Sequence, residues 1–295
     1  MMTTFGVETL KALLRLKEAA EYASKSLIPL REAFTRLNID RDKAPLELRM
    51  RLVLVRMWKE QLRGLEQSFL PKLAEYAEQG ITESFRPLTP SQVGLLLQIL
   101  NTNEKQWASS LAKIIADALK AGSKRTRETL NVDLSFDLST TEVEDYIRTH
   151  GAELVRHVNA TTRDGIRSIL EEGIQNKETY RQIAKRIRET FEGFGGRSPL
   201  RHIRDRAELV TVNEIGNAYS DAQLRTGDRI EARGIMLEKE WIDVGDERVS
   251  EHCKENSAAG WIDHKATFPS GHLAPCAHPG CRCAMGMRRK PTPRP

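Results

Sequence analysis

With 295 residues, 39% of them hydrophobic and 29% charged, the chain has enough apolar material to bury a core and too much to be intrinsically disordered. Aromatic residues reach only 6%, which favours helices packed through Leu, Ile, Val and Ala. The formal net charge of +5 is a mild basic excess, compatible with contact to a polyanion such as DNA and equally with a solvated basic surface.

The start of the chain, Met1-Met2-Thr3-Thr4-Phe5-Gly6, lacks the charged and apolar regions of a secretory signal. Leu10, Leu13, Leu14 and Ala20 recur at helical spacing, and Pro29 should kink or end that helix. A second helix is expected to open at Pro45, which suits a first turn, with Leu62, Leu65 and Phe69 on one stripe and a stop near Pro71 or Gly80. A third signal starts at Thr89-Pro90-Ser91, and Trp107, Leu111, Ile114, Ile115 and Leu119 carry its apolar face to Gly122. The apolar run around Val93 to Leu100 is far short of a membrane span, so assembly in a cytoplasm without membrane contact is expected.

Asn131 to Thr140 reads as a connector, and Ser139-Thr140-Thr141-Glu142 has the form of a capping box. The helix it opens can run through Tyr146, Ile147, Leu154 and Val158 to about Ile169, with Gly173 as its end. Another helix is expected from about Lys177 to Phe191, then a flexible loop at Gly193, Gly195, Gly196 and Pro199, then a helix near Asp205 to Leu224. Glu238 to Val244 reads as a short strand entering a Gly245-Asp246 turn. From Gly260 the chain is rich in Gly, Pro, His and Cys with little periodicity, and Met287 to Pro295 is a basic, proline-rich tail expected to be disordered. The expected fold class is mainly α with a small α+β C-terminal unit. Its expected divisions are a helical bundle over 1–130, a connector at 131–140, a C-terminal domain over 141–286 and a tail at 287–295.

All four cysteines lie beyond residue 252, and in a reducing compartment such clustering points to metal or packing before disulfides. One block is Asp246-Glu247-Arg248-Val249-Ser250-Glu251-His252-Cys253; the other is Pro275-Cys276-Ala277-His278-Pro279-Gly280-Cys281-Arg282-Cys283. A structural zinc ion takes four N or S ligands in a closed tetrahedron. The candidates here are Cys253, Cys276, His278, Cys281 and Cys283, with His252 and His272 in reserve. A metal bridge would hold a loop-rich segment that packing alone could not, and its binding energy would add to folding. The alternative is a set of reduced, partly buried thiols in a hydrogen-bonded loop.

The same blocks resemble those of the Mu F-like minor head proteins of tailed phages, the head-morphogenesis family. Arg206-Ala207 begins a helix through Glu208-Leu209-Val210-Thr211-Val212-Asn213-Glu214, and Trp241 sits in the strand that follows. Asp246 to Cys253 and then His278-Pro279-Gly280-Cys281-Arg282-Cys283 complete the order, and the resemblance covers about residues 140 to 286. Ser250 and Glu251 stand where the family has a cysteine and a proline, and Asn213 stands for a threonine. A metal site then needs a substitute for the missing thiolate, and Cys276 is preferred to His252 as the softer ligand. The resemblance implies a non-enzymatic minor capsid protein acting in head morphogenesis inside the head near the portal. It implies portal, capsid or scaffold proteins as partners, contact with packaged DNA, and a structural zinc ion as cofactor.

Arg181 to Arg206 is a basic stretch in which Lys185, Arg186, Arg188, Arg197, Arg201 and Arg204 are candidates for salt-dependent, sequence-independent contact with phosphates. A solvated face is the alternative. His202, Asp205, Glu208 and Glu214 are the one carboxylate–imidazole grouping near that stretch, and nothing in their spacing fixes an acid–base geometry. Gly193-Phe194-Gly195-Gly196 follows no strand and makes no phosphate cradle. Two other functions are carried alongside: a metal-dependent nuclease or toxin-like domain, and a non-specific DNA-binding adaptor.

Overall fold

Apolar residues spaced three and four apart make helices of most of the chain. The computed structural model describes residues 30–72, 90–132, 140–147, 152–176, 178, 180–195 and 201–291. The expected first helix around Leu10 to Ala20, with Pro29 and Ser139, lies outside those residues. In chain order the elements are α1 (Leu30–Gly64, continued by one π-helical turn, Leu65–Phe69), α2 (Pro90–Leu100), α3 (Glu104–Leu130), α4 (Thr140–Tyr146), α5 (Ala152–Gln175), α6 (Tyr180–Gly195), α7 (Arg201–Glu231), β1 (Leu237–Ile242), α8 (Glu251–Ala258), β2 (Ile262–Asp263) and β3 (Ala284–Arg289). The mainly helical reading with a small strand-containing C-terminal part matches this order.

Several boundaries differ from those expected, each for a physical reason. Pro45 does not open a helix but lies inside α1. Its ring removes one amide donor, while Ile39, Leu46, Met50 and Leu54 are buried on either side and hold the helix through it. The signal beginning at Pro90 divides into α2 and α3 at Asn101–Asn103, where Asn103 takes a left-handed φ of 60°, a conformation asparagine tolerates. Gly122 does not end α3, which continues to Leu130. A side chain at 122 would overlap the backbone carbonyl of Tyr219, so this glycine lets α3 and α7 approach closely. The helices α4 and α5 replace one expected helix; α5 passes Gly173 to Gln175, and α6 takes in Gly193 and Gly195.

The strand expected at Glu238–Val244 is β1, the centre of a three-stranded antiparallel sheet of order β2-β1-β3. Its register with β3 sets Leu237 opposite Arg289, Lys239 opposite Met287 and Trp241 opposite Met285. Met287–Arg289 are therefore part of the sheet and not of a disordered tail. Composition hides this because Arg288 and Arg289 look solvated. Arg288 instead pairs with Glu238 directly across the strands at 2.7 Å and stacks over Trp261 at 4.2 Å, while Arg289 donates to the Leu130 carbonyl.

Contacts group the chain into two compact units. One takes in Met1–Glu47, Ala116–Thr140 and Val212–Pro295; the other takes in Leu48–Ile115 and Thr141–Thr211. In the second unit, the buried Gln61 amide donates to the Leu100 carbonyl at 2.7 Å and to Asn159 at 2.8 Å, fixing α1 to the end of α2 and to α5. Ile183, Ile187 and Phe191 of α6 are fully buried there, as their four-residue spacing implies.

In the first unit, Asp42 of α1 accepts two hydrogen bonds from the Arg125 guanidinium of α3, both at 2.8 Å, and one from the Tyr219 hydroxyl of α7 at 2.9 Å. Hydrogen bonding to Asp42 raises the arginine pKa, and burial beside the carboxylate raises that of the phenol, so both groups keep their protons at any physiological pH. Thr226 of α7 donates to Ser123 of α3, the residue after Gly122, at 3.0 Å. Below these helices, Leu130, Ile230, Leu237, Met285 and Met287 form one core cluster, and Ile39, Tyr219, Ile242 and Ala284 form another. Replacing Asp42 with Ala leaves the mostly buried phenol without its acceptor and the guanidinium with Glu128 alone, at 3.4 Å. Urea unfolding is expected to show a loss of about 3 kcal/mol, in the range for breaking a buried charged hydrogen-bonded pair.

Candidate metal centre

The site grows from the end of β1. Trp241 meets Phe268 edge-on, with ring centroids 5.1 Å apart at 77°, and Val249, Cys253, Cys281 and Cys283 close the same buried cluster. On the adjoining side of Phe268 lies Lys239, fully buried with its ammonium 5.4 Å from the ring. Desolvation brings that lysine down to about 8, against the opposing pull of Asp228 and Asp263.

After β1 the chain turns at Gly245, where φ is +64°. The Asp246 carboxylate then accepts the Arg248 amide at 3.0 Å and the Arg282 guanidinium at 2.7 Å. The Arg282 contact is the main reason the Asp246 pKa lies below the ordinary carboxylate value. This ion pair joins the two sequence blocks directly. Ser250 is extended, with φ −67° and ψ 154°, and its hydroxyl accepts the Cys253 amide at 3.3 Å, making it the N-cap of α8. The place of the missing family cysteine is thus filled by a helix cap.

From the other direction, the segment 276–283 is set by α7. The Asn213 side chain accepts the Gly280 amide at 2.9 Å. Cys276 takes a left-handed φ of 79°, a strained conformation for a residue with a side chain. Its sulfur lies against Gly216, where any Cβ would overlap it. His278 Nδ1 is 3.0 Å from the Pro279 carbonyl. A carbonyl can only accept, so this nitrogen carries the proton and Nε2 presents its lone pair. Nε2 in turn lies 3.0 Å from the Ser250 hydroxyl and 3.3 Å from Cys253 Sγ.

Cys253 Sγ is also 3.8 Å from Cys281 Sγ, and the possible ligand atoms of Cys253, His278 and Cys281 all lie within 4.8 Å of one another. A tetrahedral zinc with bonds of about 2.3 Å to sulfur and about 2.0–2.1 Å to nitrogen separates two sulfurs by about 3.8 Å and a sulfur from a nitrogen by about 3.6 Å. The Cys253–Cys281 edge matches that geometry, and the Cys253–His278 edge of 3.3 Å is slightly shorter. All four cysteines are free thiols. The neighbouring thiols of Cys276 and then Cys283 pull the Cys281 pKa strongly down. Proximity to Cys281 pushes Cys276 and Cys283 up in turn, with burial adding to the shift. Burial raises Cys253.

Of the residues chosen from sequence, the structure brings Cys253, His278 and Cys281 into one donor set. Cys276 and Cys283 do not join that set, and the Cys276 thiol donates to the Cys281 carbonyl at 3.9 Å. His252 is exposed beside Glu255 at 3.7 Å, and His272 is exposed with its ring on Ser270. Among the nucleic-acid candidates, Lys185 pairs with Glu189 at 3.6 Å, Arg186 with Glu172 and with Glu178 at 2.9 Å, and Arg188 with Glu66 at 2.9 Å. Arg197 and the side chains of Arg201 and Arg204 lie outside the described residues. Sequence reasoning missed Ser250 as a cap, Asn213 as a loop anchor, the Asp246–Arg282 pair and the buried Lys239. Ser-x-x-Cys in front of a short polar helix was the available signal for the first. The others join residues between 36 and 67 positions apart or lie in an ordinary strand pattern.

Residues 164–286 match the family model described as Phage Mu protein F like protein, a span from the middle of α5 into β3 that contains β1, β2, the start of β3 and the whole donor set. No curated protein and no solved structure matches the chain. Replacing Asn213 with Ala strips the Gly280 amide of its acceptor. Equilibrium unfolding is expected to show a loss of about 1 kcal/mol, the usual worth of such a bond, and no loss would mean that α7 does not position this loop.

Proposed function

We propose, on the premise that the chain belongs to the Mu F-like family of phage head proteins, that it is a minor head component acting at or near the portal. The family match carries this reading, because it covers α7, β1, β2 and the loops that Cys253, His278 and Cys281 join. The family is one of phage head proteins, which implies a virion location. Among the described residues, no helix is long and apolar enough to cross a membrane.

The role is structural rather than catalytic. Two thiols and an imidazole supply three donors, with Cys253 and Cys281 packed against Trp241 and Phe268 and the Ser250 hydroxyl 3.0 Å from His278 beside them. Zinc held there would add its binding energy to the fold of residues 243–283. The family match favours a head component over a metal-dependent nuclease or toxin-like domain. Contact with packaged DNA is the weaker part of the proposal, because Lys185, Arg186 and Arg188 already face carboxylates of their own unit.

Mass spectrometry of particles assembled with the wild-type gene is expected to find the chain in the head. Deleting the gene should lower the yield of filled, infectious particles. Normal heads that never contain the chain would contradict the reading.

A further inference from the structure

The outward face of α1 in its own unit is not used by anything described above. Met50, Leu54, Met57, Trp58, Gln61 and Leu65 are buried along one side of this helix. On the other side, Leu48, Leu52, Arg56, Lys59 and Arg63 follow one another at spacings of three and four and are exposed. Leu48 and Leu52, at 39% and 57% exposed, stand on adjacent turns. Arg56, Lys59 and Arg63 have no ion pair among the described residues. The next carboxylate along the stripe, Glu66, is held by Arg188 at 2.9 Å. The stripe is about 22 Å long at about 1.5 Å of rise per residue, and it ends in three cations beside Glu60, whose carboxylate accepts from Asn103 at 3.4 Å.

We infer that this face of α1 docks an acidic amphipathic helix of a partner protein, with apolar side chains of the partner on Leu48 and Leu52 and its carboxylates on Arg56, Lys59 and Arg63. Charge complementarity calls for an anionic occupant. The leucines decide which kind. A phosphate backbone rewards cations and gains nothing from two exposed leucines, whereas a helix laid along four turns is anchored by apolar residues at i, i+3 and i+4. The stripe carries both features on one straight face. The inference deepens the head-protein reading by giving the chain a surface for a protein partner, and it rests on that reading only in placing the partner among head components.

The test uses the full chain and two fluorescent probes. One is a helical peptide of about twenty residues with Leu on two adjacent turns and Glu along the rest of that face; the other is a duplex of about twenty base pairs. Wild type is expected to bind the peptide. The triple change Arg56→Glu, Lys59→Glu, Arg63→Glu should weaken that binding at least tenfold, as reversing three exposed pairs implies. The double change Leu48→Ser, Leu52→Ser should weaken peptide binding about fivefold and leave duplex binding untouched. Circular dichroism and unfolding midpoints should be unchanged in both variants, since these side chains face water. Failure of wild type to bind the peptide overturns the inference. So does a leucine change without effect on the peptide combined with a charge reversal that abolishes duplex binding, which would make the stripe a polyanion surface. Absence of the wild-type chain from heads is a separate result: it removes the head-protein reading and leaves the peptide measurement standing.

Discussion

Between the end of β1 and the start of β3 the chain runs for some forty residues with one short helix, a two-residue strand and few large apolar side chains. What closes this segment on itself is the meeting of Cys253, at the start of α8, with His278 and Cys281 on the far side of the loop. Each neighbouring feature sets that meeting. Ser250 caps α8 and touches His278, the Pro279 carbonyl fixes the imidazole proton, and Asp246 reaches across to Arg282. Trp241 and Phe268 keep the floor apolar. Without the junction, β3 would have to find its register on β1 across a long loop, at an entropic cost that grows with loop length.

Much of the fold could be read from the residues because helices declare themselves by local period. Ile183, Ile187 and Phe191 sit four apart and are buried as that spacing implies, and the tryptophan strand lies within two residues of its expected place. Glycine and proline misled where they serve packing instead of punctuation. Gly122 exists because the Tyr219 carbonyl needs its space, and Pro45 is carried by buried neighbours on both sides. Such reasons belong to tertiary contacts, which no local window contains. The same holds for β3, whose Met-x-Met alternation makes sense only against Leu237, Lys239 and Trp241 across the sheet.

The donor set was legible as a group of candidates and not as a geometry. Five residues were offered from composition and spacing, and the backbone selects three. The left-handed turn at Cys276 sends its sulfur towards Gly216 and the Cys281 carbonyl, away from Ser250. The vacancy expected at Ser250 is occupied by a hydroxyl that caps a helix and contacts the histidine, so the departure from the family pattern is absorbed locally. The match over residues 164–286 contains the whole junction of Cys253, His278 and Cys281.

The measurement that bears most directly on this account is cobalt(II) titration of the metal-free, reduced full-length chain, followed by visible absorption. The account predicts one equivalent bound in a tetrahedral environment, with strong d–d bands and sulfur-to-cobalt charge transfer that disappear in Cys253→Ala and Cys281→Ala and persist in His252→Ala. Weak octahedral bands, or a spectrum indifferent to Cys253 and Cys281, would contradict it and leave the four cysteines as a packed, metal-free thiol cluster.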